Sequence, residues 1–305
     1  MNKFKVLIKI VFTLSFIGIF TVPIITLTSC YRGYQCIYVD GEKRYYRIHI
    51  PENISLNEKV PLLLALHQFS DTARGMEKLT KFNELADKEK FIVVYPQGRW
   101  RIWRTDPLPN KDTRFLDVLI NQLCDKHPID TNRIFATGAS AGGMMIQAYA
   151  CYSSNLSGIA PVMGSMIKKY GEERTPAKKI PVLIIHGTSD PIVPYYGGET
   201  DSAPGRTNNF MSAEENIKWW AEKYNCLSPP DNKMLPDSNI NDEFYSELIY
   251  YPCEPGVALI KINGGGHTWA GNKNYYPRFI VGPTAPEPNI SSLIWKFFNT
   301  GNILE

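Results

Sequence analysis

The chain is short of three things: an excess of charge, histidine, and clustered cysteine. Its 305 residues hold 33 Lys and Arg against 30 Asp and Glu, a formal net charge of +3. Lys3, Lys5 and Lys9 lie in the first 29 residues, which contain no Asp or Glu, so the rest of the chain is electrically balanced. Such a composition leaves no basic footprint for a nucleic-acid partner, which is excluded. Six cysteines and five histidines are present, with no Cys-x-x-Cys pair and no His/Cys cluster. A metal site therefore has no ligand set at the usual spacings. No internal repeat appears and no linker is long enough to separate two domains, so one domain over residues 30–305 is expected, with excursions at 196–212 and 227–245 read as insertions on one scaffold.

What is present begins with an export-type segment over residues 1–29. Its positive start is followed by an uncharged, mostly apolar run from Val11 to Leu27, the layout of a signal peptide. The alternative, a retained membrane helix, needs roughly 20 residues and would have to begin nearer Val6 and tolerate Lys9. Leu27-Thr28-Ser29-Cys30 resembles the lipobox of bacterial lipoproteins, so Cys30 is the expected lipidation site, with membrane attachment through its lipid at the cell surface or in the periplasm. Of the other cysteines, Cys226 and Cys253 flank a polar, Pro-rich stretch, where a bridge would close a loop in an oxidising compartment. Cys124 and Cys151 sit in apolar helical patterns and read as buried thiols. Cys36 has no assignment.

Through the middle of the chain, apolar strand patterns at 60–67, 91–95, 133–137 and 181–186 alternate with helical patterns at 77–90, 113–127 and 142–152. That alternation predicts an α/β fold with a mainly parallel central sheet flanked by helices. Residues 45–50 alternate and add an antiparallel edge. Residues 258–262 form a late strand, and 291–301 a closing helix that packs back on the sheet.

The stretch Gly138-Ala139-Ser140-Ala141-Gly142 is a G-x-S-x-G motif, and it carries meaning only where a strand enters and a helix leaves. Both conditions hold in the sequence pattern. The competing explanation is a strand-to-helix turn using small residues for packing. A serine hydroxyl needs a base to take its proton, and the base needs an acid to fix its tautomer. In this fold class they follow in the order Ser, acid, His. Asp190 stands just beyond the strand ending at His186, and His267 follows the last strand on Gly264-Gly265-Gly266. His267 is the only histidine after Asp190. His49 and His127 read as structural, and His186 as a group that orients the acid loop. The oxyanion donors are expected from the Ala141 N–H and from the loop after His67, where Phe69 is chosen with Gln68 close behind. Trp269, Trp100 and Trp103 either face the substrate or pack the site loops and the sheet edge.

Together these residues resemble the exported esterases that group polyhydroxybutyrate depolymerases with feruloyl and acetylxylan esterases. The resemblance rests on residues 40–51, 61–73, 86–98, 129–145, 186–195, 263–269 and 294–298, nearly the whole mature chain. It implies an α/β-hydrolase fold, triad roles for Ser140, Asp190 and His267, and a disulfide between Cys226 and Cys253. One departure stands out: the family usually has His-Gly in the oxyanion loop, whereas His67 is followed by Gln68. The expected activity is ester hydrolysis without metal or organic cofactor, on feruloyl or acetyl esters of wall polysaccharide. A short-chain polyhydroxyalkanoate depolymerase and a catalytically silent glycan-binding lipoprotein are the alternatives.

Overall fold

The fully apolar strand patterns lie where two-sided burial requires them, at the centre of a ten-stranded sheet. The computed structural model describes residues 33–52, 54–55, 58–203 and 206–301; the export-type segment and Cys30 lie outside the described residues. The strands are β1 (Gln35–Val39), β2 (Glu42–His49), β3 (Val60–Leu66), β4 (Ile92–Pro96), β5 (Ile129–Ala139), β6 (Gly158–Val162) and β7 (Val182–Gly187), then β8 (Gly198–Ala203), β9 (Arg206–Phe210), β10 (Asp231–Met234), β11 (Tyr245–Tyr251) and β12 (Val257–Asn263). The helices are α1 (Ala73–Thr80), α2 (Phe82–Glu89), α3 (Lys111–Lys126), α4 (Ala141–Tyr152), α5 (Lys168–Glu173), α6 (Ala213–Lys223), α7 (Arg278–Val281) and α8 (Ile290–Thr300).

The sheet order is β1-β2-β4-β3-β5-β6-β7-β12-β11-β10. Strands β4 to β12 in that order are parallel, and the pairs at both ends are antiparallel. Strand β3 shows why the centre reads as a continuous apolar run. Leu62, Leu64 and Leu66 join one core cluster with residues of α3, α4 and α6, while Leu63 and Ala65 join a second with residues of α1, α2 and α8. With helices on both faces, every side chain of β3 meets apolar packing.

Three expectations change in detail. Residues 45–49 lie in the antiparallel strand β2, which ends one residue before the expected Ile50, but β1 pairs outside it, so β2 is not the edge. The helical pattern over 77–90 is two helices, because Lys81 turns into the left-handed region (φ 54°) and its N–H caps the Glu77 carbonyl. The excursion at 227–245 carries β10, which extends the main sheet, whereas that at 196–212 forms the separate β8–β9 hairpin. The disulfide Cys226–Cys253 is present, and Cys36, Cys124 and Cys151 are free. Among the described residues no helix is long and apolar enough to cross a membrane.

Candidate active site

Every residue singled out for chemistry follows the carboxyl end of a parallel strand, the edge where open α/β sheets bind ligands. Ser140 follows β5, Asp190 follows β7 and His267 follows β12. Since β7 and β12 are neighbours, their loops meet directly: the Ser189 N–H donates to the Gly265 carbonyl at 2.8 Å. His267 Nδ1 lies 2.7 Å from Asp190 Oδ2, and both residues are buried. With the Nδ1–H donated to that carboxylate, Nε2 is the nitrogen left to accept a proton. Strand β5 stands two spacings from β7, about 10 Å, and three from β12, so the Asp190 and His267 loops leave neighbouring strands on the same side of Ser140.

Ser140 sits at φ 51°, ψ −116°, a strained conformation for a residue with a side chain. Two backbone hydrogen bonds hold it, Ser140 N–H to the Val162 carbonyl and Met144 N–H to the Ser140 carbonyl, each 2.9 Å. The flanking glycines are a steric necessity. A Cβ at Gly138 would lie 2.4 Å from the Gly142 carbonyl carbon, and one at Gly142 would lie 2.3 Å from the Leu66 carbonyl oxygen. The same contact brings the start of α4 against the end of β3. Ala141, the first residue of α4, presents an N–H with no acceptor inside the helix, at the positive end of its dipole.

Asp190 is held from both sides. Its Oδ1 accepts from the N–H groups of Ile192 and Val193 at 2.8 and 2.9 Å, and His186 Nε2 is 3.2 Å from Oδ2. Burial pushes the carboxyl up, but His267 and His186 outweigh it and hold the pKa well below its ordinary value of 3.8. His186 also donates from Nε2 to the Val193 carbonyl at 2.8 Å, and Tyr195 packs edge-on against its ring.

The loop after β3 is fixed by His67. Its Nδ1 donates to the Gln68 carbonyl at 2.7 Å, its Nε2 accepts from the Gly98 N–H at 2.9 Å, and burial lowers its pKa. The Trp103 indole N–H donates to the His67 carbonyl at 2.8 Å. Ser70 N–H donates to the Arg101 carbonyl at 2.9 Å, joining this loop to the turn that carries Trp100. Phe69 and Trp100 are 54% and 81% exposed, so both rings can meet a ligand. Trp269 and Trp103 cannot. Trp269 is fully buried, edge-on to Phe82, with its indole N–H on Ser291 Oγ, and Trp103 belongs to the core. Of the two readings open for Trp269 and Trp103, their burial favours packing beneath the site loops.

Gln68 is buried, and the Tyr275 hydroxyl donates to the Asp71 carboxylate of the same loop. Sequence spacing gives almost no sign of this contact. Tyr275 and Asp71 are 204 positions apart, and the only local trace is a pair of tyrosines shortly after His267. Among the described residues no cluster of three or more His, Cys, Asp or Glu could hold a metal ion.

Comparison with known proteins agrees with this architecture. Residues 108–213 match the Phospholipase/Carboxylesterase family. The probable feruloyl esterase C of Aspergillus oryzae is 30% identical over 277 residues, 87% of this chain and 89% of that protein. The bifunctional acetylxylan esterase/xylanase of Neocallimastix patriciarum is 28% identical over 233 residues, and the chain spans only 31% of its length. The acetyl xylan esterase structure from Aspergillus awamori superposes with a TM-score of 0.56 at 15% identity, over 77% of this chain and 94% of that one, and so shares the fold.

Proposed function

The chain belongs to the α/β-hydrolase esterase family that includes feruloyl esterase C, and from that membership we propose that it is an exported serine carboxylic ester hydrolase removing feruloyl or acetyl groups from plant cell-wall polysaccharide. The observation that carries the reading is the buried Asp190–His267 pair on the loops of β7 and β12, two and three strands along the sheet from a strained serine. The relatives' names, feruloyl esterase C and acetylxylan esterase, favour wall esters over a polyester substrate. An export-type segment with lipidation at Cys30 and an extracytoplasmic disulfide complete the reading.

In the mechanism His267 Nε2 takes the Ser140 Oγ proton as the oxygen attacks the ester carbonyl. The tetrahedral oxyanion is met by the N–H groups of Ala141 and Phe69. As the carbon–oxygen bond to the sugar breaks, His267 returns the proton to the departing alcohol, leaving an acyl-serine. Water then enters, gives its proton to His267, and the acid leaves as Ser140 regains its hydrogen. Asp190 holds the imidazole in the required tautomer and stabilises its charged form, and His186 positions Asp190.

Hydrolysis of methyl ferulate, 4-nitrophenyl acetate and a hydroxybutyrate oligomer by wild type and Ser140→Ala tests the proposal. The expected outcome is preference for the ferulate and a fall of at least about 10^4-fold in kcat in the variant. Preference for the hydroxybutyrate oligomer would transfer the protein to the depolymerase reading. An active Ser140→Ala would remove the serine mechanism.

A further inference from the structure

Beside the candidate active site lies a cleft of about 550 Å³ between the segment following His267 and the segment leading to α8. Its walls are secured without its charged side chains. The Gly271 N–H donates to the Ala285 carbonyl at 3.1 Å, Asn272 Nδ2 donates to the Leu79 carbonyl at 3.0 Å, and Asn274 closes on the backbone of Tyr276. These bonds use the amide groups and leave Lys273, Arg278 and the Thr284 hydroxyl at the cleft. No Asp or Glu lines it, and no ion pair to Lys273 or Arg278 exists among the described residues.

The cleft is tied to the site on two sides. At Gly282, in its wall, an added Cβ would lie 3.0 Å from Gly266 Cα and 3.1 Å from the Ser189 carbonyl, against the segments carrying both His267 and Asp190. On the other side Tyr276, also in the wall, packs against Tyr275, whose hydroxyl donates to Asp71 of the oxyanion loop. A polymer whose ester lies at Ser140 therefore has a neighbouring unit within reach of the cleft. An aliphatic or phenolic acyl group would call for apolar walls. Two cations, a hydroxyl and one aromatic ring instead suit a sugar bearing a negative charge. The guanidinium fork matches a carboxylate with two parallel hydrogen bonds.

We propose that this cleft is a subsite for a uronic acid residue of the polysaccharide, its carboxylate held by Lys273 and Arg278. The inference rests on the wall-ester reading of the active site. It gives the enzyme a preference for acidic glycans, set on a sugar other than the esterified one.

The test is calorimetric titration of Ser140→Ala with glucuronate-substituted xylotetraose, unsubstituted xylotetraose and inorganic phosphate, repeated with Lys273→Ala and Arg278→Ala added. The acidic oligosaccharide should bind at least about tenfold more tightly than the neutral one, about 1.4 kcal/mol. The advantage should disappear with either added substitution and shrink with rising salt. An unshifted thermal midpoint verifies folding, as both side chains are exposed. Equal affinity for the two oligosaccharides, no binding of the acidic one, or phosphate binding as tightly as the uronate would each overturn the subsite. Because nothing is turned over, the titration reads the cleft even if wall esters prove not to be substrates, and a failed titration leaves Ser140 chemistry untouched.

Discussion

A histidine's role follows from what its two nitrogens meet. His267 spends Nδ1 on Asp190 and so keeps Nε2 for a proton. His67, fully buried, spends both nitrogens: one donates to a carbonyl and the other accepts from an N–H. That pattern holds only for the neutral ring, and burial depresses its pKa below 6.5. The sign of the consequence is fixed. Below pH 6.5 the unfolded chain takes up a proton that folded His67 resists, so its stabilisation is complete above that pH and declines as pH falls through the window beneath it. Urea unfolding from pH 7 to pH 5 should therefore show a steeper loss of stability in wild type than in His67→Gln. Equal slopes would mean that this ring is not held neutral. Among the tryptophans the sequence offered no such guide. Trp269 meets Phe82 and Ser291, both distant in the chain, and those contacts made it core.

At the scale of the element, the decisive piece is β5, its turn and α4. Two glycines admit the turn because backbone, which cannot move aside cheaply, occupies the space where a Cβ would go. Gly142→Ala should cost about 1–3 kcal/mol as an overpacked site. It should also lower kcat about 100-fold by displacing Ser140, read from thermal midpoint and single-turnover rate. An active, fully stable variant would show that α4 can slide from β3. This element was legible because strand, G-x-S-x-G and helix are contiguous. The short strand β6 passed unread, since five residues containing Gly158 and Pro161 give little pattern. The break at Lys81 was hidden too: Met76, Leu79, Phe82 and Ala86 share one core cluster across it, so the apolar pattern continues through a turn it does not reveal.

For the whole molecule, the sheet order does what no segment can. Placing β12 beside β7 joins residues 77 positions apart into the Asp190–His267 pair. At the far side of β12, Cys226–Cys253 ties the end of α6 to the end of β11 across a separation of 27 residues. A loop of that size stabilises by about 3 kcal/mol through the unfolded chain. Cys226→Ser with Cys253→Ser should lower unfolding free energy by that amount, and reductant should then have no further effect. A double variant as stable as wild type would mean that the bridge closes a loop already ordered.

By itself the sequence determined the fold class, through local periodicity, and the chain order Ser140, Asp190, His267 on which the proposed mechanism draws, while the Cys226–Cys253 pairing was implied by the family resemblance. Only the tertiary structure decided which aromatic rings face solvent and which loops meet at the carboxyl edge of the sheet. Those features depend on contacts between residues tens to hundreds of positions apart, and burial is a property of the packed whole that no window of sequence contains.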